Sequence, residues 1–352
     1  MTRGAERERL LVGLLAQHGV VAFRDSATSP IALASAVAAV ASTMEDWAFF
    51  RLAHSVLSAL LVVLPDSEVL LRGRVLAQQA RLARHLGETA SSHRYYEEVE
   101  RLGAEGGLPE LTGRAFAGLG ILAQIRGDFP EARRRFHSVI QLNGAAAESL
   151  SIAHHHLMVA SAAANDYDAA AMHAWRAFKD AAPSQESEAL INLAQLLFDA
   201  GYPRAALRGF AAVLVRKLIS RHALPALGGA ACAAAVALPR PAARALVKNF
   251  AERLDCLVTS LRNGESLPHP SASALVEMSE ALAHVGEEVW SLEVASRADV
   301  LASSHGFYQL LYRLENPALT APKPPKTVHS ATSAIIAAVD ELEGAELVGA
   351  AS

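Results

Sequence analysis

The sequence has little of what secreted, membrane-spanning or nucleic-acid-binding proteins carry. Its 352 residues hold 2 cysteines, Cys232 and Cys256. That is too few for a disulfide framework, and both fall in apolar stretches of helical period, where they read as small buried filler. Aromatic residues make up 6% of the chain and charged residues 19%. No uncharged apolar run approaches the ~18 residues that a membrane span needs. Even Ala32 to Thr43, ALASAVAAVAST, is too short and ends at Met44-Glu45-Asp46. The first twenty residues mix charges into a short amphipathic pattern and lack the uncharged core and cleavage site of a secretory signal. A cytoplasmic location is therefore expected, with no membrane contact. A net charge of −4 and a pI of about 6.4 leave no basic excess, so no nucleic-acid partner is expected. Strand formers never gather into alternating runs with hairpin turns between them, which excludes a β-rich fold.

What is present is alanine, leucine and helical periodicity. Hydrophobic residues reach 52%, largely from these two strong helix formers. Self-similarity at a fixed interval is the feature to look for in such a chain. The clearest unit is Arg114 to Gly144, RAFAGLGILAQIRGDFPEARRRFHSVIQLNG. It carries Leu119-Gly120 in a first helix, Gly127-Asp128-Phe129 at a turn, Ala132 in a second helix and Phe136 four residues on. Weaker copies are Arg74 to Val99, with Gly87 at the turn, and Ala153 to Phe178, with Asp166-Tyr167. Ala189 to Leu214 turns at Gly201-Tyr202, and Ser273 to Leu301 at Gly286. In the Ala189 unit either Ala205 or Ala206 fits the small position. Two further segments fit by apolar period alone: Ile31 to Leu64, with Trp47 near its turn, and Leu224 to Leu261, turned at Pro239-Arg240-Pro241.

These residues resemble the tetratricopeptide repeat family. The resemblance covers about Ile31 to Phe307, and it implies an all-α fold, an α-solenoid that winds as a right-handed superhelix of about seven helical hairpins. Gly120 and Ala132 would let the two helices of one hairpin approach closely. Leu119, Phe129 and Phe136 would fill the seam between hairpins. The expected organisation is a capping helix in residues 1–30, a repeat array over 31–314, and a tail over 315–352. Asn316 to Lys326 is a proline-rich linker that cannot continue a helix. His329 to Glu343 places Ile335, Ile336, Val339 and Leu342 on one stripe, as a short amphipathic helix that could cap the last hairpin or lie in the protein's own groove.

Chemistry-bearing constellations are scarce. His154, His155 and His156 are consecutive, so their side chains stand about 100° apart around a helix and cannot converge on one metal. None has a ligand-type residue four positions away, as a zinc pair would require. Neither cysteine lies near a histidine, and no nucleophile elbow occurs. The glycines Gly103, Gly106, Gly107, Gly118 and Gly120 lack the Lys-Ser/Thr of a phosphate loop and read as turn and close-packing residues. Adjacent acidic pairs, Glu97-Glu98 and Glu287-Glu288, point to different sides of a helix. No metal, cofactor or catalytic activity is expected.

In the tetratricopeptide family the first helix of each hairpin lines the concave surface. Carrying that pattern over implies groove residues Arg74, Arg81, Arg84 and His85 from one hairpin, and Arg114, Ile121, Gln124 and Ile125 from the next. His155 and Val159 follow, then Glu188, Asn192, Gln195 and Asp199. Four arginines would form a positive patch suited to an acidic peptide or a free carboxylate, which guanidinium groups grip bidentately. Asn192 could hold an extended backbone. Phe129, Phe136, Trp175, Phe178 and Phe210 are expected in the core. The function these features imply is a protein- or peptide-binding scaffold. The rivals are a stand-alone sensor similar to bacterial peptide-responsive tetratricopeptide regulators, whose effector would be a separate partner, and an all-helical enzyme, for which no catalytic pair is evident.

Overall fold

The computed structural model describes residues 30–46, 49–183, 185–216, 218–263, 267–316 and 330–342. Among these the regular elements are α-helices, with no strand. The helices in chain order are α1 (Pro30–Asp46), α2 (Phe50–Val63), α3 (Val69–His85), α4 (Thr89–Glu105), α5 (Pro109–Ile125) and α6 (Phe129–Gln141). Then come α7 (Ala147–Ala163), α8 (Tyr167–Lys179), α9 (Glu186–Asp199), α10 (Pro203–Leu214), α11 (Ser220–Ala237) and α12 (Arg240–Ser260). The last four are α13 (Pro268–His284), α14 (Glu288–His305), α15 (Tyr308–Glu315) and α16 (Ser330–Asp340). The expected capping helix, Trp47 and the proline-rich linker lie outside the described residues.

The chain divides into two compact units, residues 1–153 and 154–352, with the boundary inside α7. In each unit consecutive helices pack on one another as hairpins. The first helices of successive hairpins also touch directly: α1 with α3 and α3 with α5 in the first unit, and α9, α11 and α13 in sequence in the second, where α15 packs against α13 as well.

One local device makes most of these hairpins. Gly87, Gly127, Asn165, Gly201 and Gly286 have φ of 78°, 80°, 61°, 90° and 85°. Each sits just past a first helix, in the left-handed conformation that glycine adopts without a Cβ penalty and asparagine tolerates. The next residue donates its amide five positions back, as in Asp128 N to Ala123 O at 2.9 Å and Asp166 N to Ser161 O at 2.9 Å. The same residue can then cap the second helix: the carboxylates of Asp128 and Asp166 accept from the amides of Glu131 and Ala169, both at 3.1 Å. Five residues past each left-handed residue stands a small one: Ser92, Ala132, Ala170, Ala206 and Ser291. This interval settles the register of the Ala189 unit on Ala206, which is fully buried. The α11–α12 connection instead uses Pro239, with φ −55° and ψ 142°, as its turn.

Side-chain burial follows the first helices. Leu82, Leu111, Leu122, Leu190, Leu193 and Leu224 have almost no exposed surface, each worth roughly 1.5–3 kcal/mol of transfer free energy. Phe136, Phe178 and Phe210 are buried, as expected. Phe136 lies over Gly120, where a Cβ would come within 2.7 Å of its ring, so it packs inside its own hairpin. Three expectations fail, the first being the place of Phe136, expected in the seam between hairpins. Phe129 is 62% exposed, because it opens α6 at the solvent end of the turn and does not fill a seam. Cys256 is exposed on the outer side of α12, whereas Cys232 is buried.

Candidate functional site

The first helices bring together polar side chains that are far apart in sequence. In the first unit, Arg81 on α3 donates through Nε and Nη2 to the two carboxylate oxygens of Glu45 on α1, at 2.6 and 2.7 Å. Its Nη1 lies 3.8 Å from Glu148. Arg114 on α5 reaches the other Glu148 oxygen at 2.8 Å and Glu110 at 3.4 Å. Glu110 in turn accepts two hydrogen bonds of 2.7 Å from Arg74. The result is an unbroken ladder: Glu45, Arg81, Glu148, Arg114, Glu110, Arg74. Hydrogen bonding to Arg74 holds the Glu110 carboxyl below its usual range. Burial opposes the charge of Arg81, but the hydrogen bond and charge of Glu45 outweigh it and keep the guanidinium firmly protonated.

This geometry corrects the expected positive patch. Three of the four arginines are matched by three carboxylates, each pair held at hydrogen-bonding or contact distance. Arg84 stands apart: its Nε is buried without a hydrogen-bond partner among the described residues. His85 stacks on Phe50, with ring centroids 4.8 Å apart and planes 8° from parallel, and its Nε2 lies 3.8 Å from Glu45. Burial pushes its imidazole below the ordinary range. Ile121 and Gln124 are half-buried, and Ile125 is 58% exposed.

In the second unit the predicted residues pair among themselves. His155 Nδ1 lies 3.2 Å from the Asn192 amide nitrogen, and Gln195 donates to Asp199 at 2.9 Å. The amides of Asn192 and Gln195 are thus already engaged by side chains. The three consecutive histidines diverge, as a helix requires. His154 is buried, with its Nδ1 3.0 Å from that of His173, while His155 points to α9 and its ring meets that of His156 edge-on. Among the described residues no group of three histidine, cysteine or acidic side chains is placed to hold a metal ion.

Another polar cluster lies within the second unit. Arg313 on α15 donates to both oxygens of Glu280 on α13, at 2.8 and 2.6 Å, and lies 3.8 Å from Glu277. Burial pushes the Glu277 carboxyl up to about 7, with the charge of Glu280 and Asp199 adding to the effect and Arg313 opposing it. Asp199 is also raised, chiefly by burial. The Cys232 thiol donates to the Glu277 carbonyl at 3.3 Å, and burial holds it protonated. Gly228 on α11 makes room for this carboxylate, since a Cβ there would lie 2.3 Å from Glu277 Oε2. Sequence reasoning passed over Glu277, Glu280 and Arg313. The available signal was the Glu-x-x-Glu spacing on the apolar helix SALVEMSEALA, which puts both carboxylates on one face.

The tail lies where neither expectation put it. Helix α16 packs on α8 and α10, second helices of their hairpins, and not in the layer of first helices or on the last hairpin.

No protein-family model matches the chain, and no curated protein does. Among solved structures, the crystal structure of BtubC (BKLC) from P. vanneervenii is similar at 20% identity and a TM-score of 0.42. The match covers 55% of this chain and 84% of that one.

Proposed function

We propose that this protein is a binding scaffold that recognises a peptide or an extended segment of a protein partner on the first helices of its units. The supporting observation is the direct contact between successive first helices in each unit. Side chains from hairpins about 36 residues apart thereby share one surface, as in the Glu45–Arg81, Arg74–Glu110 and Ser42–Gln78 hydrogen bonds. We further read the hairpins as tetratricopeptide-like, on Leu119-Gly120, the left-handed turn residues and the small residue five positions later.

The chemistry of the ligand differs from one unit to the other in this reading. The ladder of the first unit is charge-balanced, which favours hydrogen bonding and apolar contact at Ile121 and Ile125 over capture of an acidic segment. In the cluster around Glu277, Arg313 already matches Glu280, and the raised carboxyls of Asp199 and Glu277 favour hydrogen bonding to a polar side chain of the ligand.

The test is affinity purification with mass spectrometry, using the intact chain and three single variants checked for helicity. Ile125→Glu and Val159→Glu change exposed positions on first helices; Val62→Glu changes an exposed position on a second helix. The expected result is a partner lost with Ile125→Glu or Val159→Glu and kept with Val62→Glu. A partner kept by both of the former would place binding elsewhere.

A further inference from the structure

The C-terminal helix α16 is an amphipathic ligand seated on the protein's own surface. Thr332, Ile335 and Val339 are buried, at 4%, 6% and 0% exposure, and they recur at the i, i+3, i+7 interval of a helix laid in a groove. Ile336 and Leu342 pack beside them against the core of the second unit. The seat is formed by α8 and α10. Val339 lies over Gly209 of α10, where a Cβ would stand 3.8 Å from Val339 Cγ1 and 3.0 Å from the Cβ of Ala194. Gly209 is thus closely packed against Ala194 of α9, and Val339 rests over it at ordinary van der Waals distance.

The two ends of the seat carry opposite charge. At the first turn of α16, Thr332 donates its hydroxyl to Asp168 on α8. At the last turn, Asp340 forms an ion pair with Arg208 on α10. A helix is partially positive at its N-terminus and partially negative at its C-terminus. Asp168 under the first turn and Arg208 under the last therefore match the helix dipole and fix the direction in which a helix lies. This is a directional site, with an apolar floor and a charged group at each end.

In the sequence, α16 is joined to α15 through residues 317–329, which include Pro317, Pro322, Pro324 and Pro325. Such a composition cannot carry the helix of α15 on into α16 and reads as a spacer between them. We propose that the α8–α10 groove is an exchangeable docking site for an amphipathic helix of a partner protein, and that α16 occupies it in cis. The partner helix would carry a hydroxyl or other donor in its first turn, β-branched residues three and seven positions on, and a carboxylate at the eighth. A tethered helix acts at a millimolar effective concentration, so the tail sets the threshold that a partner must exceed.

The experiment uses the full-length chain, a full-length Ile335→Asp/Val339→Asp variant whose tail can no longer seat, and a fluorescein-labelled peptide of residues 328–342. Fluorescence anisotropy should show the peptide binding the variant at least about tenfold more tightly than the intact chain. Adding Arg208→Glu to the variant should weaken the peptide, and a peptide bearing Asp340→Arg should recover part of that loss. Circular dichroism and melting of the variant report whether the body remains folded. A folded variant that fails to bind the peptide, or equal binding to both chains independent of Arg208, overturns the proposal. A doubled mass of the intact chain in light scattering, abolished by Ile335→Asp, overturns the cis assignment and gives the groove to the tail of a second copy.

Discussion

Arg81 and Glu45 lie 36 residues apart and share two hydrogen bonds of 2.6 and 2.7 Å between the first helices of adjacent hairpins. Glu45 is only 12% exposed and Arg81 34%, so the pair is partly withdrawn from solvent. The carboxylate would be left poorly solvated without its cation.

Arg81→Ala is accordingly expected to lower the stability of the first unit by about 1–2 kcal/mol, above the typical surface ion pair and below a fully buried one. Glu45→Gln should cost less, because the amide still accepts one hydrogen bond. The double variant should be less destabilised than the sum, by about 1 kcal/mol, in a urea-midpoint cycle.

The turn between first and second helices makes a paired prediction. A Cβ at Gly127 would meet nothing within 4 Å, so only its φ of 80° opposes a side chain. Gly127→Ala should cost about 1 kcal/mol. Asn165 holds the equivalent place at φ 61°, and Asn165→Gly should stabilise by a few tenths of a kcal/mol. Thermal melts that show the same sign for both changes would contradict the assignment of the two turns as equivalent.

Gly118 on α5 faces the ring of Tyr96 on α4, and an added Cβ would lie 2.2 Å from its Cε1 and Cζ. Tyr96 is 5% exposed and has nowhere to go. Gly118→Ala should therefore destabilise by about 1–3 kcal/mol, despite a gain of about 1 kcal/mol in helix propensity. Combining it with Tyr96→Leu should relieve the clash, so that the two losses are sub-additive in a denaturant cycle.

Glu277 gives the pH dependence. Its native carboxyl titrates near 7, against an unperturbed 4.5. Between these values the native state keeps a proton that the unfolded chain has released, so stability falls as pH rises from about 4.5 to 7 and is level above. The full effect is about 3 kcal/mol. Carboxylates held low by arginine, such as Glu110 and Glu98, act in the opposite sense. The difference between the parent chain and Glu277→Gln isolates the one group. That difference should grow across this window and favour the glutamine variant at pH 8. A flat difference would show that Glu277 is ionised in the folded protein.

Much of the local structure was legible in the sequence. Gly87, Gly127, Gly201 and Gly286 marked their turns because a left-handed residue after a helix is a nearest-neighbour requirement. Asn165 was missed as the fifth, since asparagine meets that requirement less visibly. Gly120 and Ala132 read as the close-packing positions of one hairpin because small residues at that interval meet across it, whereas Phe136 read as a residue of the seam between hairpins and packs on Gly120 of its own. Phe129 misled, because an aromatic at a helix start can face solvent as readily as core.

What the sequence by itself determined is therefore the helical hairpin, whose period, turns and caps all act within about forty residues. Tertiary structure alone decided what the hairpins do to one another. Arg74, Arg81 and Arg114 looked like an unopposed positive stripe until the first helices came into contact and supplied Glu45, Glu110 and Glu148. Glu277 is an ordinary surface-type residue in the sequence. It becomes a carboxyl near neutrality because α11 and α13 close over it at Gly228. The tail showed its apolar stripe plainly, but its seat draws on Asp168 and Arg208, residues more than a hundred positions away. Charge balance, desolvation and docking depend on which surfaces meet, and helix period carries no information about that.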